Sequence, residues 1–109
     1  MINVTFFVKD GLIYGFELKG HSGYAPLGRD IVCAAVSSAA EMTSNTITQI
    51  LGIKADVTES DNGYLKLTVP KEFVKSVESL LKGFRLHIKC ISQEYPSNVK
   101  LRYGGTENA

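Results

Sequence analysis

Apolar residues occupy every second position at the start of the chain, which is the repeat of a half-buried β-strand. The alternation continues on the other side of Asp10-Gly11, a dipeptide typical of tight hairpin turns. A second alternating pair of segments flanks the turn Ser60-Asp61-Asn62-Gly63. The pattern predicts two β-hairpins, with strands at residues 2–8, 12–18, 55–59 and 65–69.

Two other segments carry apolar residues at helical spacing. The first helix is predicted to begin at Ile31, after Asp30 as N-cap, and to stop at Gly52. The second follows Pro70 and extends to about Ile91, and a last strand is predicted over 99–103. The core positions predicted for the first helix are Ile31, Val32, Ala35, Val36, Ala39, Met42, Ile47 and Ile50, and those for the second are Phe73, Val77, Leu80, Leu81, Phe84, Ile88 and Ile91.

The predicted order ββαββαβ is typical of an α+β domain. We expect a mostly antiparallel sheet of four to five strands with both helices packed on one face. Residues 1–103 would form this single domain, and residues 104–109 a flexible tail. In a chain this small the uncovered sheet face or the edge strands would stay partly exposed, so we expect a homodimer.

Composition narrows the class of protein further. The chain has 109 residues, of which 44% are hydrophobic, enough for one modest core. Its two cysteines, in a chain without an export signal, favour free thiols in the reducing cytoplasm over a disulfide framework. No apolar run is long enough to cross a bilayer, and 12 basic against 11 acidic residues give no long-range attraction to nucleic acid. We therefore expect a cytoplasmic protein that contacts no membrane.

The segment between the first hairpin and the first helix holds a candidate nucleophile and a candidate base. His21 lies at the end of a predicted strand, and Cys33 lies in the first turn of the helix, where N–H groups and the helix dipole favour a thiolate. Cys33 falls about 110° from the centre of the predicted apolar stripe, on the side of Ser37, Ser44 and Thr48. On these grounds a reactive thiol and a buried, inert thiol are equal alternatives.

Neighbouring residues have candidate supporting roles. If the second strand packs beside the helix that follows it, its end brings His21 toward Cys33, at a distance that the sequence does not fix. Asp30 caps the helix, and its carboxylate has a second candidate role in orienting the imidazole. Ser37 lies one turn after Cys33 and is either its hydrogen-bonding neighbour or a solvated position. Arg29 either favours the thiolate or is an exposed charge.

The loop between His21 and the helix is rich in glycine and proline and has few aliphatic anchors, as is typical of surface segments that close over substrates. Its residues are Ser22, Gly23, Tyr24, Ala25, Pro26, Leu27, Gly28 and Arg29.

The second cysteine lies on the second helix. Cys90 and His87 flank the predicted apolar stripe, and we interpret Cys90 as a partly buried, inert thiol. Both cysteines with both histidines would give the right number of ligands for a tetrahedral zinc site. No Cys-x-x-Cys spacing supports such a site, so we predict neither a metal nor another cofactor.

The other side of the second helix forms a basic face. Glu78 interrupts it, and its members are Lys71, Lys75, Lys82, Arg85 and Lys89. We interpret it as a solvated surface, since no aromatic stacking motif accompanies it; the alternative is a weak, salt-dependent contact with RNA.

Gly20-His21, followed by Gly28-Arg29-Asp30-Ile31-Val32-Cys33-Ala34-Ala35-Val36-Ser37, resembles the ribosomal-processing cysteine protease family, called Prp. The resemblance covers essentially the whole chain in length and order of elements. It implies a homodimeric α+β enzyme that removes a short N-terminal extension from a large-subunit ribosomal protein, cutting after a pair of aromatic residues. The family's nucleophile corresponds to Cys33 and its base to His21. Positions of the active-site region correspond to Gly20, Asp30 and Ser37.

This resemblance implies nucleophilic acyl transfer, with N–H groups at the helix start stabilising the oxyanion. Selectivity for aromatic side chains requires an apolar pocket, which the loop residues Tyr24, Ala25, Pro26 and Leu27 are placed to close. The alternative function is a non-catalytic, ribosome-associated module that binds through the basic face. In that case His21 and Cys33 would serve a structural turn or a metal.

Overall fold

The structure is a computed structural model that describes residues 1–21, 23, 25–26 and 30–105. Within this part of the chain, five strands and two long helices follow one another in the predicted order. The strands are β1 Ile2–Lys9, β2 Leu12–Lys19, β3 Asp56–Ser60, β4 Tyr64–Thr68 and β5 Val99–Gly104, and the helices are α1 Ile31–Asn45 and α2 Glu78–Glu94. The predicted α+β class is confirmed.

All five strands belong to one sheet, in the order β3-β4-β2-β1-β5. Neighbouring strands are antiparallel, except that β5 runs parallel to β1 with Val99 opposite Ile2. Both predicted hairpins are confirmed, and β4 joins them by pairing with β2. β5 extends one residue into the predicted tail, while residues 106–109 lie outside the described part of the chain.

Both helices pack on one face of the sheet, and the core lies between the two layers. Phe84 of α2 contacts Phe6 and Phe16 edge-on, with ring centroids 5.4 and 4.8 Å apart. On the opposite face Phe7 stacks on Tyr14, with centroids 5.8 Å apart. No helix within the described residues combines the length and apolar character that a membrane crossing needs.

The first helical segment buries only part of its predicted core face: Val32, Val36 and Ile47 are buried as predicted, whereas other predicted positions are exposed. Ile31, Met42 and Ile50 are 58%, 58% and 78% exposed, so their prediction as core residues is wrong. The buried residues of α1 are Val32, Val36, Ala40, Thr43 and Ser44. The apolar residues of α1 lie on two sides of the helix. One side contacts the sheet, whereas Ala35 and Ala39 border a groove between α1 and α2. The centre of the apolar stripe calculated from the sequence therefore lies to one side of the face that contacts the sheet.

α1 gives way to a single π-helical turn, Thr46–Ile50, before the predicted stop at Gly52. Thr43, Thr46 and Thr48 each donate a hydroxyl hydrogen bond to the carbonyl oxygen four residues back, at 2.8, 2.8 and 2.9 Å. These bonds satisfy the buried hydroxyl of Thr43 and compete with the helical N–H groups for the same oxygens. The competition accounts for the loosening of the last turn.

α2 is approached through two short 3-10 turns, Lys71–Phe73 and Lys75–Val77. Phe73 is 39% exposed, which contradicts its predicted place in the core, whereas Val77, Leu81, Phe84 and Ile88 are buried as predicted. Cys90 is exposed rather than partly buried, because it lies beyond the flank of α2 that contacts the sheet.

Candidate active site

Asp30 caps α1 and fixes the backbone at Cys33. Its own backbone is extended, and its Oδ1 accepts a hydrogen bond of 2.9 Å from the Cys33 N–H. This N–H is one of the first-turn donors that have no partner inside a helix. Because the Asp30 carboxylate binds it, the first turn and the cysteine are held in one arrangement, and this N–H is not a free donor for a developing oxyanion.

Cys33 and His21 lie together. The Cys33 Sγ is 4.0 Å from the His21 Nδ1, although twelve residues separate them in the chain. Cys33 is half-buried and contacts the core from its edge, closer to the core than its predicted direction, while His21 is exposed. The thiol is neither sealed in the interior nor isolated from an imidazole.

The end of β2 delivers His21 through Gly20. Gly20 has φ +98°, and a Cβ at this position would lie 2.6 Å from the carbonyl oxygen of Met1. Its N–H donates to the carbonyl oxygen of Gly63, at 3.2 Å, in the turn between β3 and β4. Only glycine fits this close approach in this conformation. The residue before His21 is therefore held between the chain start and the second hairpin.

A cleft of about 400 Å³ opens beside the His21–Cys33 pair. Its walls are the first turns of α1, the end of β2 and the β3–β4 hairpin. Sequence reasoning did not identify several lining residues, namely Glu41, Glu59, Ser60, Asp61, Gly63 and Tyr64. The hairpin turn itself was recognisable in the sequence, but its position beside His21 depends on the pairing of β4 with β2, which local patterns do not reveal.

The described lining of the cleft is acidic. Asp30, Glu41, Glu59 and Asp61 contribute carboxylates, and no lysine or arginine is among the described lining residues. Tyr64, which also lines the cleft, donates a 2.7 Å hydrogen bond from its hydroxyl to Glu17. This bond, with burial and the nearby negative charge, raises the pKa of Tyr64 above its usual value. The electrostatic character of the cleft favours a cationic ligand.

The remaining predicted site residues are only partly described. Ser37 is exposed and lines the cleft one turn after Cys33. Of the predicted loop, Gly23 and Pro26 are exposed and Ala25 is half-buried. The other loop residues, which lie outside the described part of the chain, are Ser22, Tyr24, Leu27, Gly28 and Arg29.

The zinc ligands considered from the sequence do not form a cluster. His87 borders the groove between α1 and α2, and Cys90 is exposed on α2. Within residues 1–21, 23, 25–26 and 30–105, no three His, Cys, Asp or Glu side chains lie close enough together to hold a metal ion. The chemistry that the described site offers is that of a thiol and an imidazole.

Comparisons with known proteins agree with this geometry. The family described as cysteine protease Prp matches residues 1–100 of the chain. The ribosomal processing cysteine protease Prp of Bacillus subtilis (strain 168) is 27% identical over an alignment of 95 residues, and the match covers 82% of this chain and 84% of the relative.

Solved structures give the same result. The fold is similar to that of the essential ribosomal processing protease Prp from S. aureus, in complex with a covalently linked product peptide. The TM-score is 0.87 at 27% identity, covering 94% of this chain and 99% of that one. SMU.848 from Streptococcus mutans gives a TM-score of 0.78 at 29% identity, covering 97% of this chain and 96% of that one. With its α+β fold, its paired thiol and imidazole, and a family match over nearly its whole length, the chain belongs to the cysteine protease Prp family.

Proposed function

We propose that this protein is an endopeptidase that removes the N-terminal extension of a large-subunit ribosomal protein, with Cys33 as nucleophile and His21 as general base and acid. The observation that carries the proposal is the 4.0 Å separation of Sγ and Nδ1 at the mouth of the cleft. Nucleophile and base are commonly looser before substrate binds and tighten in the reacting complex.

The reaction would proceed in two stages. The Cys33 thiolate attacks the scissile carbonyl carbon, and His21 donates a proton to the departing amine, leaving a thioester. His21 then takes a proton from water, which hydrolyses the thioester and frees the new carboxylate. Asp30 binds the Cys33 N–H, so the oxyanion is assigned to the first-turn N–H groups of Ile31 and Val32.

Two observations support a ribosomal protein as substrate. The relatives from Bacillus subtilis and S. aureus are named ribosomal processing proteases, and the S. aureus protein has been solved with a substrate peptide. The described lining of the cleft carries carboxylates and no basic side chain. Proteins that bind RNA use lysine and arginine to neutralise phosphates. A basic segment of such a protein therefore complements the cleft electrostatically.

The direct test is to incubate the protein with a precursor of a large-subunit ribosomal protein and to measure intact masses. Wild-type protein should remove the extension at one peptide bond. Cys33→Ser should remove none, and His21→Ala should cleave about 10²- to 10⁴-fold more slowly.

Cys90→Ser is the matched control, because it removes the other thiol, which is exposed and is not among the described residues that line the cleft. It should cleave at the wild-type rate. Cleavage by a folded Cys33→Ser variant would contradict the proposed nucleophile.

We also propose selectivity for aromatic side chains before the cut, through a pocket closed by the loop that includes Tyr24 and Leu27. A peptide with the aromatic pair should be cleaved faster than one with two alanines in its place. Equal kcat/KM values would contradict this pocket.

The same family membership supports a catalyst over the non-catalytic module considered from the sequence. On the basic face Lys82 is bonded to Glu78 at 2.8 Å. Changing Lys75, Lys82 and Lys89 together to glutamate should leave peptide cleavage intact. Loss of ribosome association with unchanged cleavage would reveal a separate binding role for this face.

A homodimer in the cytoplasm completes the proposal. The sheet face opposite the helices carries the stacked Phe7–Tyr14 pair, and β3 and β5 are edge strands. Sedimentation should give twice the monomer mass of 11.9 kDa. A monomer at micromolar concentration would contradict the dimer without affecting the assignment of Cys33.

A further inference from the structure

The turn between β3 and β4 lies directly against the imidazole of His21. Gly63 closes this turn with φ +73°. A Cβ at Gly63 would lie 3.0 Å from His21 Cε1 and 3.4 Å from His21 Nδ1. Nδ1 is also the atom that faces the Cys33 Sγ. The side of the ring that meets the thiol is thus bounded by a residue more than forty positions away, counting from 21 to 63.

The same position touches the backbone that leads to His21. A Cβ at Gly63 would lie 2.9 Å from the carbonyl oxygen of Gly20, whose N–H donates to the Gly63 carbonyl oxygen at 3.2 Å. A methyl group could not be accommodated by rotating a flexible side chain alone, because one of its neighbours is backbone. Either Gly20, and His21 with it, or the turn would have to move, and in both cases the contact between the turn and the imidazole would change.

We propose that Gly63 is a positioning residue for the proteolytic reaction: the absence of a side chain there lets His21 place Nδ1 against the Cys33 thiol. This inference rests on the proposed role of His21 as the base. It assigns the β3–β4 hairpin a role in positioning the base, in addition to lining the cleft. Gly63 itself touches neither the nucleophile nor, on this proposal, the peptide bond that is cut.

The other hairpin supplies a matched control. Gly11 closes the β1–β2 turn with φ +77°, and a Cβ there would meet nothing within 4 Å. Alanine at either position takes the same unfavourable left-handed backbone conformation. Only Gly63→Ala also crowds Gly20 and His21. The difference between the two variants therefore isolates the contact with the base from the strain of the turn.

The first measurement is peptide cleavage by Gly63→Ala and Gly11→Ala. We expect the substitution to displace the His21 ring by up to about 1 Å. This displacement should lower kcat of Gly63→Ala by about 10- to 100-fold, with little change in KM. Gly11→Ala should keep the wild-type kcat. Equal kcat values in the two variants would overturn the inference.

The second measurement separates positioning from general destabilisation. In a Cys90→Ser background, iodoacetamide alkylation reports only on the Cys33 thiol, and its rate is compared in His21→Ala, Gly63→Ala and the double variant. Gly63→Ala should slow alkylation when His21 is present and change nothing further when His21 is absent, which is the non-additivity of two groups that act together. If Gly63→Ala lowered the alkylation rate by the same factor with His21 and with His21→Ala, Gly63 would act on structure alone, and the inference would fail.

If Gly63→Ala does not fold, the contact between Gly63 and His21 can still be tested in the wild-type protein by NMR. A nuclear Overhauser effect between the Gly63 α protons and the His21 Hε1 proton is expected, and its absence would overturn the inference. Full activity of His21→Ala would instead overturn the proposed function, so the two failures are distinguishable.

Discussion

The two helices of this protein begin in opposite ways. α1 begins at a side-chain cap, with the Asp30 carboxylate bonded to the Cys33 N–H. α2 has no side-chain hydrogen bond at its N-cap and is approached through two 3-10 turns. Conversely, α2 carries the aromatic centre of the core, Phe84, whereas the buried face of α1 consists of short side chains.

The two helices therefore differ in what they contribute: α1 positions the cysteine of the site, and α2 contributes buried apolar side chains to the core. The first turn of α1 must hold one cysteine in one place, which a local hydrogen bond does well. α2 is held by apolar burial along its length, so the geometry of its first residue matters little. The site therefore depends on a few hydrogen bonds and close contacts at one end of the molecule. Most of the largest fully buried side chains lie on the sheet and α2, so we expect these elements to contribute most to the free energy of unfolding.

The comparison predicts its largest effect at Phe84. Phe84→Ala should lower the free energy of unfolding by about 3–5 kcal/mol, because the ring fills the space between Phe6 and Phe16. Leu86, on the same helix, is 62% exposed, and Leu86→Ala should stay within about 0.5 kcal/mol of wild type. Urea unfolding measures both. Similar losses in the two variants would contradict the assignment of the core to α2.

An intermediate effect is expected at the start of α1. Asp30→Ala should cost about 1 kcal/mol of stability through loss of the cap, and Asp30→Asn, which keeps an acceptor, should cost less. Cleavage should fall more in Asp30→Ala than its stability loss explains, since the first turn carries Cys33. If Asp30→Ala lowers the free energy of unfolding more than Phe84→Ala does, the start of α1 matters more for stability than the core of α2, and the comparison is wrong.

The smallest effect is expected at the uncapped start of α2. The hydrogen bond and charge of Lys82 lower the pKa of the Glu78 carboxyl. A carboxyl whose pKa is lower in the folded than in the unfolded state stabilises the fold above its usual pKa, and this contribution disappears as pH falls through the lowered value. Glu78→Gln should therefore lower the melting temperature slightly at neutral pH and not at all in strong acid. A difference that grows in acid would contradict the ion pair.

Much of this architecture is encoded locally. Alternation and turn dipeptides predicted both hairpins, and Asp30 and Gly52 marked the two ends of the first helical segment. The proximity of His21 and Cys33 followed from packing a strand beside the next helix. The buried face of α1 could be predicted only in part. Val32 and Val36 are buried as expected, but other apolar positions border the groove with α2, which lies in a different direction from the sheet.

The contribution of the β3–β4 hairpin to the site could not be predicted from local sequence patterns either. Gly63 has the sequence context of an ordinary turn glycine, and nothing near it in the chain distinguishes it from Gly11. Its contact with His21 exists because β4 pairs with β2, with Tyr64 opposite Lys19. Such pairing brings together segments far apart in sequence, so a local periodicity contains no record of it.

The parallel pairing of β5 with β1 has a consequence for the newborn polypeptide. Of the five described strands β1 is synthesised first, yet β5, its partner at the outer side of the sheet, is synthesised after the other four. Closing so long a loop is entropically costly, which makes this docking a late event in folding. Until it occurs, β1 presents an unpaired edge to other chains. Premature termination before Val99 should therefore yield aggregates rather than a smaller working enzyme.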